Sequence, residues 1–172
     1  MTGEDGRVGD RPAARRRRSW RLIGFIGALG VVAVGVALWA WWTASSPGSA
    51  DWRDPAVIAT GERVYVARCG SCHGDGLQGQ PRWRERSPNG RLPAPPHDAA
   101  GHTWHHPDQV LFQLVQRGLT PPLAPAGYES DMPAFAGILT DSEIWAVLAF
   151  IKSKWPAEIR ERQQRMTDQA AR

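Results

Sequence analysis

The string Cys69-Gly70-Ser71-Cys72-His73 constrains the fold of this chain more than any other feature of its sequence. On a helical turn, residues spaced i, i+3 and i+4 share one face, so both sulfurs and the imidazole should project to the same side. These are the only two cysteines among 172 residues, which excludes a small fold held together by several disulfides. The fold must therefore present three reactive side chains together on one turn.

The spacing C-x-x-C-H is the attachment signal of a c-type haem. Cys69 and Cys72 would form two thioethers with the porphyrin edge, and His73 would reach the iron from one face. A redox-active dithiol is one alternative, but it ordinarily accompanies a βαβ pattern, which this sequence lacks. A structural zinc site is another, but it needs further soft ligands and the chain has no other cysteine. The motif therefore predicts one covalently attached haem c.

Residues 22–42 form an uncharged run of 21 residues. As a helix this run would span roughly 31 Å and could cross one bilayer. The basic tail before it, residues 1–21, carries seven arginines against three acidic residues, which predicts a cytoplasmic N-terminus and an exported remainder. A cleaved signal peptide is the alternative, but its apolar region usually spans only about 7–15 residues. The rest of the chain has 14 basic and 14 acidic residues, so we do not expect a nucleic-acid partner.

The exported part divides into three segments. Residues 43–53 are polar and interrupted by proline and glycine, which is typical of a flexible tether. Residues 157–172 are charged and poor in apolar side chains, so we expect a solvated C-terminal tail. Between them, residues 54–156 have apolar side chains at helical spacing and predict an all-α domain.

Three helices in this domain have recognisable start and stop signals. The signals are, in chain order, Asp54 with Pro55 before Cys69, Pro107 before Gly118, and a Thr140–Glu143 capping box before Pro156.

These features resemble the small, membrane-anchored class I c-type cytochromes of bacteria. The resemblance covers about residues 54–156, where Gly61 and Tyr65 stand shortly before the motif in GERVYVARCGSCHG. It implies an all-α class I cytochrome c fold, a small helical domain around one covalent haem. It also implies that Gly61 packs against an aromatic residue of the last helix, for which Trp145 and Phe150 are both candidates.

The resemblance implies Met132 as the second axial ligand, because the string DMPAF precedes the last helix as it does in that family. The other methionines fit less well, since Met1 begins the chain and Met166 lies in the polar tail. Pro133 keeps Met132 out of helical geometry, as a ligand loop requires. A histidine–methionine pair closes both axial positions of the iron and favours electron transfer over oxygen chemistry.

Four of the five histidines lie close together in one loop, at positions His97, His102, His105 and His106. They could form a second metal site, with copper as a candidate ion, or one could replace Met132 on the iron. Alternatively, they form a structured loop without a metal. Upstream of the loop lie four arginines that could meet haem propionates or an acidic partner, or form a solvated charged run: Arg82, Arg84, Arg86 and Arg91. We expect the carbonyl of Pro81 to orient the His73 ring through its other nitrogen.

The site and the resemblance together predict an electron-transfer protein rather than an enzyme, with no small-molecule substrate. It would carry single electrons between periplasmic and membrane redox partners of a respiratory chain. The resemblance implies a single-pass protein of the bacterial inner membrane with its haem domain in the periplasm. Two alternatives stay open: a metal-binding or sensing module that uses residues 97–106, and a fixed cytochrome subunit of a larger oxidase or dehydrogenase.

Overall fold

The computed structural model describes residues 32–36 and 50–172. Residues 32–36 are helical and belong to an N-terminal unit. Residues 50–172 belong to a second compact unit with one turn of 3-10 helix at Thr103–His105 and five α-helices: α1 (Pro55–Arg68), α2 (Gly70–His73), α3 (Asp108–Arg117), α4 (Asp141–Ser153) and α5 (Ala157–Ala170). The described residues contain no strand beyond an isolated bridge between Ala136 and Leu139. The prediction of an all-α domain is therefore confirmed.

The three predicted helices begin and end at their predicted signals. Asp54 caps α1, because its carboxylate accepts a 2.8 Å hydrogen bond from the backbone N–H of Ala56. Thr140 and Glu143 form both bonds of the capping box at the start of α4. Helix α3 ends at Gly118, whose φ of +73° is a conformation that favours glycine.

Helix α1 packs against α4 at Gly61, which is buried. A Cβ atom at this position would collide with the carbonyl of Ala146 and would lie 2.9 Å from Cβ of Phe150. Phe150 is thus the aromatic neighbour of Gly61. Trp145, the other candidate, instead stacks on Phe112 of α3 with ring centres 4.5 Å apart.

Helix α4 is the centre of the domain, and all of its residues from 144 to 152 are buried. One side joins a cluster with α3 that includes Leu111, Phe112 and Trp145. Another side joins a second cluster around Tyr65, with Leu77, Phe150 and Trp155 as members. The second cluster lies against the C-x-x-C-H turn, since Cys69 packs against it.

The expectation of a solvated tail at residues 157–172 holds for most of its side chains, which are exposed, but α5 occupies most of the segment and Gln163 is completely buried. Polar contacts hold this helix in place. The Lys152 ammonium lies 2.7 Å from the Asp108 carboxylate, and the Gln163 amide donates to the same carboxylate at 2.6 Å. The packing of this helix could not be predicted from composition, because the side chains that hold it are polar. Polar side chains are usually typical of a solvent-exposed segment.

Part of the predicted tether is also packed. Ala50 is 4% exposed and joins the cluster on α3 and α4. The guanidinium groups of Arg53 and Arg160 lie 3.9 and 4.7 Å from the centre of the Trp52 ring. The packed domain therefore already includes residue 50, whereas the sequence placed its start at residue 54. Residues 43–49 lie outside the described residues.

Among the residues that the structure describes, no helix has the length and apolar character needed to cross a membrane. The predicted anchor at residues 22–42 lies outside them except for residues 32–36, and the basic tail at residues 1–21 lies outside them entirely.

Candidate functional site

The C-x-x-C-H motif forms one helical turn directly after α1. The backbone N–H of Cys69 still bonds the carbonyl of Tyr65 in α1 at 2.7 Å, and the N–H of His73 bonds the carbonyl of Cys69 at 2.9 Å. Both cysteines are free thiols, Cys69 half-buried and Cys72 exposed. Burial, with a smaller contribution from Cys72, raises the pKa of Cys69 to about 11. The turn therefore presents two thiols and one imidazole at the predicted i, i+3 and i+4 positions.

His73 is buried, and its Nδ1 lies 2.8 Å from the carbonyl oxygen of Pro95. A carbonyl can only accept, so Nδ1 carries the proton and the lone pair of Nε2 is free to bind a metal. Burial lowers the pKa of His73, although the bond to Pro95 opposes this shift. Burial therefore favours the neutral imidazole, and the bond to Pro95 orients it, as in histidines that bind a metal.

The prediction that the carbonyl of Pro81 orients His73 is wrong, because Nδ1 of His73 bonds the carbonyl of Pro95 instead. Residues 81–93 form an excursion that is closed at its base, because the N–H of Gln80 bonds the carbonyl of Ala94 at 2.9 Å. The chain returns to His73 only after this excursion, so Pro95 supplies the carbonyl. Sequence spacing could not reveal the closure, which depends on a pairing fourteen residues apart.

His97 lies flat against His73, with ring centres 3.9 Å apart and planes inclined by 20°. Two imidazoles on opposite sides of one iron would instead point at each other end to end, with ring centres roughly 6 Å apart. His97 is therefore beside His73 and does not occupy the position opposite it. Burial, followed by the neighbouring His73 and His102, lowers the pKa of His97 well below its usual range.

The other histidines of the loop contact aromatic residues. His102 stacks on Trp83 with ring centres 5.4 Å apart, and His105 stacks on Trp104 at 3.7 Å. Within residues 32–36 and 50–172, no three histidine, cysteine or acidic side chains are arranged to hold a metal ion. The histidines thus contact aromatic rings and one another, as in a structured loop, and the second metal site stays an untested prediction.

Met132 lies in a loop fixed to α3 on its C-terminal side, since the N–H of Phe135 bonds the carbonyl of Val115 at 3.0 Å. On its N-terminal side, the N–H of Met132 bonds the hydroxyl of Ser130 at 3.0 Å. Its half-buried side chain borders an open cleft of about 350 Å³ together with Arg91, Arg117, Leu119 and Tyr128. Cys69, Cys72 and His73 do not line this cleft.

The four arginines upstream of the histidine loop differ in their contacts. Arg91 pairs with Asp131, the residue before Met132, and lies 3.6 Å from the Glu129 carboxylate. Arg86 donates to the carbonyl of Gly90 at 2.6 Å within the excursion. Arg82 and Arg84 are exposed, and the guanidinium of Arg84 lies over the Trp83 ring. Arg91 thus joins the excursion to the Met132 loop, which sequence reasoning did not predict.

The residues of this site fit a covalently attached haem. Two free thiols and an imidazole share one turn, and the imidazole is held through Nδ1 so that Nε2 is available. The buried Nδ1 of His97 beside them has no hydrogen-bond partner in the described part of the chain, which fits a pocket that a bound polar group completes.

The family model described as Cytochrome c matches residues 58–155, which is more than half of the chain. The matched range contains the C-x-x-C-H turn, the histidine loop and Met132. No curated protein and no solved structure matches the chain.

Proposed function

Because this chain belongs to the cytochrome c family, we propose that it is a membrane-tethered monohaem cytochrome that carries single electrons between redox partners of a respiratory chain. Membership implies one covalently bound haem c, a role in electron transfer rather than catalysis, and redox partner proteins. The membrane tether, the respiratory partners and the individual ligands are the parts that we propose.

The observation that carries the proposal is the C-x-x-C-H turn with His73 held by Pro95. Cys69 and Cys72 would attach the haem through thioethers, and His73 and Met132 would be the axial ligands of its iron. When bound, the haem supplies one-electron chemistry. The bond from Nδ1 to the Pro95 carbonyl fixes the tautomer of His73 and keeps Nε2 a good ligand.

Three observations support Met132 as the ligand opposite His73. Its loop is fixed to α3 through Phe135, so its position is determined by the fold. Pro133 follows it and keeps its backbone extended. His97, the histidine nearest to His73, lies beside that ring rather than opposite it. With both axial positions filled by side chains, the site would exclude oxygen and peroxide from the iron.

The sequence supports the membrane tether through the uncharged run at residues 22–42 and the arginines before it. We infer a single-pass protein of the bacterial inner membrane with the haem domain in the periplasm. A tether of this kind raises the effective concentration of the domain near membrane-bound donors and acceptors. Contacts with these partners would be small and transient, as electron-transfer encounters usually are.

The first test is the visible spectrum of the oxidised and reduced protein, made in a host that attaches haem to C-x-x-C-H. We expect haem that resists acid–acetone extraction and that cycles reversibly with dithionite and ferricyanide. A sulfur-to-iron charge-transfer band should be present and should disappear in Met132→Ala but not in Met166→Ala. Extractable haem would contradict the roles of Cys69 and Cys72, and a band that survives in Met132→Ala would contradict the role of Met132.

The membrane tether is tested by fractionation of the full chain and of a variant that lacks residues 22–42. We expect the full chain in the membrane fraction after a high-salt wash and the shortened chain in the soluble periplasmic fraction when it is exported with a cleavable signal. A soluble full chain would contradict the tether. Stoichiometric co-purification with oxidase or dehydrogenase subunits in mild detergent would favour a fixed subunit over a mobile carrier.

A further inference from the structure

His97 is fixed more firmly than an ordinary loop residue. Its backbone N–H bonds the carbonyl of Leu77 at 2.8 Å, and its carbonyl accepts the indole N–H of Trp155 at 2.7 Å. Leu77 and Trp155 are both buried in the cluster beside the C-x-x-C-H turn. The backbone of His97 is therefore held on both sides by the core, and its ring has little freedom to move away from its neighbours.

The His97 ring lies between two other rings. One face stacks on His73 at 3.9 Å, and Tyr65 meets it edge-on with ring centres 5.8 Å apart. Tyr65 is itself fixed, because its ring packs on Phe150 at 5.4 Å and its hydroxyl donates to the carbonyl of Gly74 at 3.2 Å. The core thus supports His97, and His97 supports His73.

The two contacts of the His73 ring restrain different motions. The bond from Nδ1 to the Pro95 carbonyl fixes one atom of the ring but still allows the plane to rock around that point. A flat partner in parallel contact removes this motion, because rocking would bring the two rings into overlap. Together the contacts define both the direction and the plane of the imidazole.

We propose that His97 is a positioning residue that sets the plane of the His73 imidazole. The inference rests on the proposed role of His73 as an axial ligand. The orientation of a ligand ring determines how its orbitals meet those of the metal, and the residues that orient metal-binding histidines tune the properties of the site. His97 would therefore give the oxidised haem a single ligand geometry, although it never binds the iron.

The test compares His97→Phe with His97→Leu by electron paramagnetic resonance of the oxidised holoprotein. Phenylalanine keeps a flat ring beside His73, whereas leucine fills similar space without one. We expect one set of g values, as in the natural protein, for His97→Phe, and shifted or several sets for His97→Leu. His105→Ala is the matched control, because His105 also stacks on an aromatic ring but is exposed, and it should leave the spectrum unchanged.

Two results would overturn the proposal: natural spectra for both variants, or the same altered spectrum for both. Trp155→Phe provides a second route if His97→Leu does not fold, because it removes the bond to the His97 carbonyl and keeps an aromatic ring, of smaller size, in the core. Trp155→Phe should broaden the lines of the spectrum, because the His73 ring would then adopt several orientations. Lines as narrow as those of the natural protein would also contradict the proposal. Covalent haem and reversible cycling are measured on the natural protein first, so a failure of the proposed function is seen separately.

Discussion

Gly61 shows how one residue determines the distance between the two helices that frame the site. Any side chain there would collide with the carbonyl of Ala146, which belongs to backbone and cannot rotate away. Helix α4 carries Phe150, which in turn backs the Tyr65 ring beside His97. The close packing at Gly61 is therefore connected to the functional site by two aromatic contacts, Phe150 with Tyr65 and Tyr65 with His97.

We expect Gly61→Val to destabilise the holoprotein by about 1–3 kcal/mol, because an overpacked contact forces the helices apart. Guanidinium unfolding followed by tryptophan fluorescence measures this loss. Val66→Ala is the control on the same helix, since Val66 is 52% exposed and should change stability by less than about 0.5 kcal/mol. Equal stabilities of the two variants would show that α1 and α4 do not meet at Gly61.

Arg91 is the residue that links the excursion to the Met132 loop, through Glu129 and Asp131. An exposed ion pair of this kind is screened by solvent and contributes little to stability, so Arg91→Ala should loosen the loop without unfolding it. If Met132 binds the iron, cyanide should displace it roughly two- to fivefold more readily in this variant. Arg86→Ala is the control, because Arg86 bonds within the excursion and should leave cyanide binding unchanged. A similar effect of both variants would contradict a specific role for Arg91.

Residue patterns predicted what depends on local spacing and missed what depends on closure of the chain. Cys69, Cys72 and His73 could be grouped because one helical turn brings them together. The choice between Trp145 and Phe150 as the neighbour of Gly61 needed the register of two packed helices. The hydrogen-bond partner of His73 could not be predicted, because it depends on the pairing of Gln80 with Ala94. No local sequence pattern indicates that pairing.

At the scale of elements, helix α5 is anchored by a buried ion pair as well as by Ile159, which packs against the second cluster. Lys152 is 1% exposed, and burial lowers its pKa, although the Asp108 carboxylate opposes this shift. Gln163 of α5 donates to Asp108 and to the carbonyl of His106 at 3.1 Å. The pair therefore joins α3, α4 and α5 and also supports the end of the histidine loop.

We expect Lys152→Met to lose about 3–5 kcal/mol, because it leaves the Asp108 carboxylate buried without a counter-charge. Adding Asp108→Asn removes that charge but keeps an oxygen for Gln163, so the double variant should recover about 2 kcal/mol. Lys154→Met is the control, since Lys154 is exposed and lies 4.0 Å from Glu62. Chemical unfolding of the holoproteins measures all three. A double variant less stable than Lys152→Met would contradict the ion-pair explanation.

Elements with apolar periodicity and capping signals were predictable, and α5 was not. Helices α1, α3 and α4 each carry a cap or a proline at the start and a stop signal at the end. Helix α5 begins after Pro156 but presents mainly charged and amide side chains. Its stability comes from long-range partners on other helices, which a pattern along the chain does not contain.

At the scale of the whole molecule, the proposed tether and the C-terminal helix meet at Trp52. Arg53 and Arg160 both place guanidinium groups against its ring, and Ala50 is buried two residues earlier. At most seven residues, 43–49, then remain between the proposed anchor and the packed domain. Fully extended, seven residues reach about 25 Å, whereas the eleven expected from the sequence would reach about 38 Å.

If residues 22–42 form the proposed anchor, a shorter tether would restrict the search of the domain for partners to a thinner layer above the membrane. If Arg160 holds Trp52, Arg160→Ala should raise the rate at which trypsin cleaves after Arg53 in the full chain by roughly two- to fivefold. This range corresponds to the loss of about 0.5–1 kcal/mol of cation–π attraction in the closed state. Arg160→Ala also removes the hydrogen bonds that Arg160 donates to the carbonyls of Ser153 and Trp155. Arg165→Ala is the matched control, because it removes an exposed arginine from the same helix. Equal cleavage rates in the two variants would contradict a role of Arg160 and would mean that residues 50–53 are held by contacts other than those with α5.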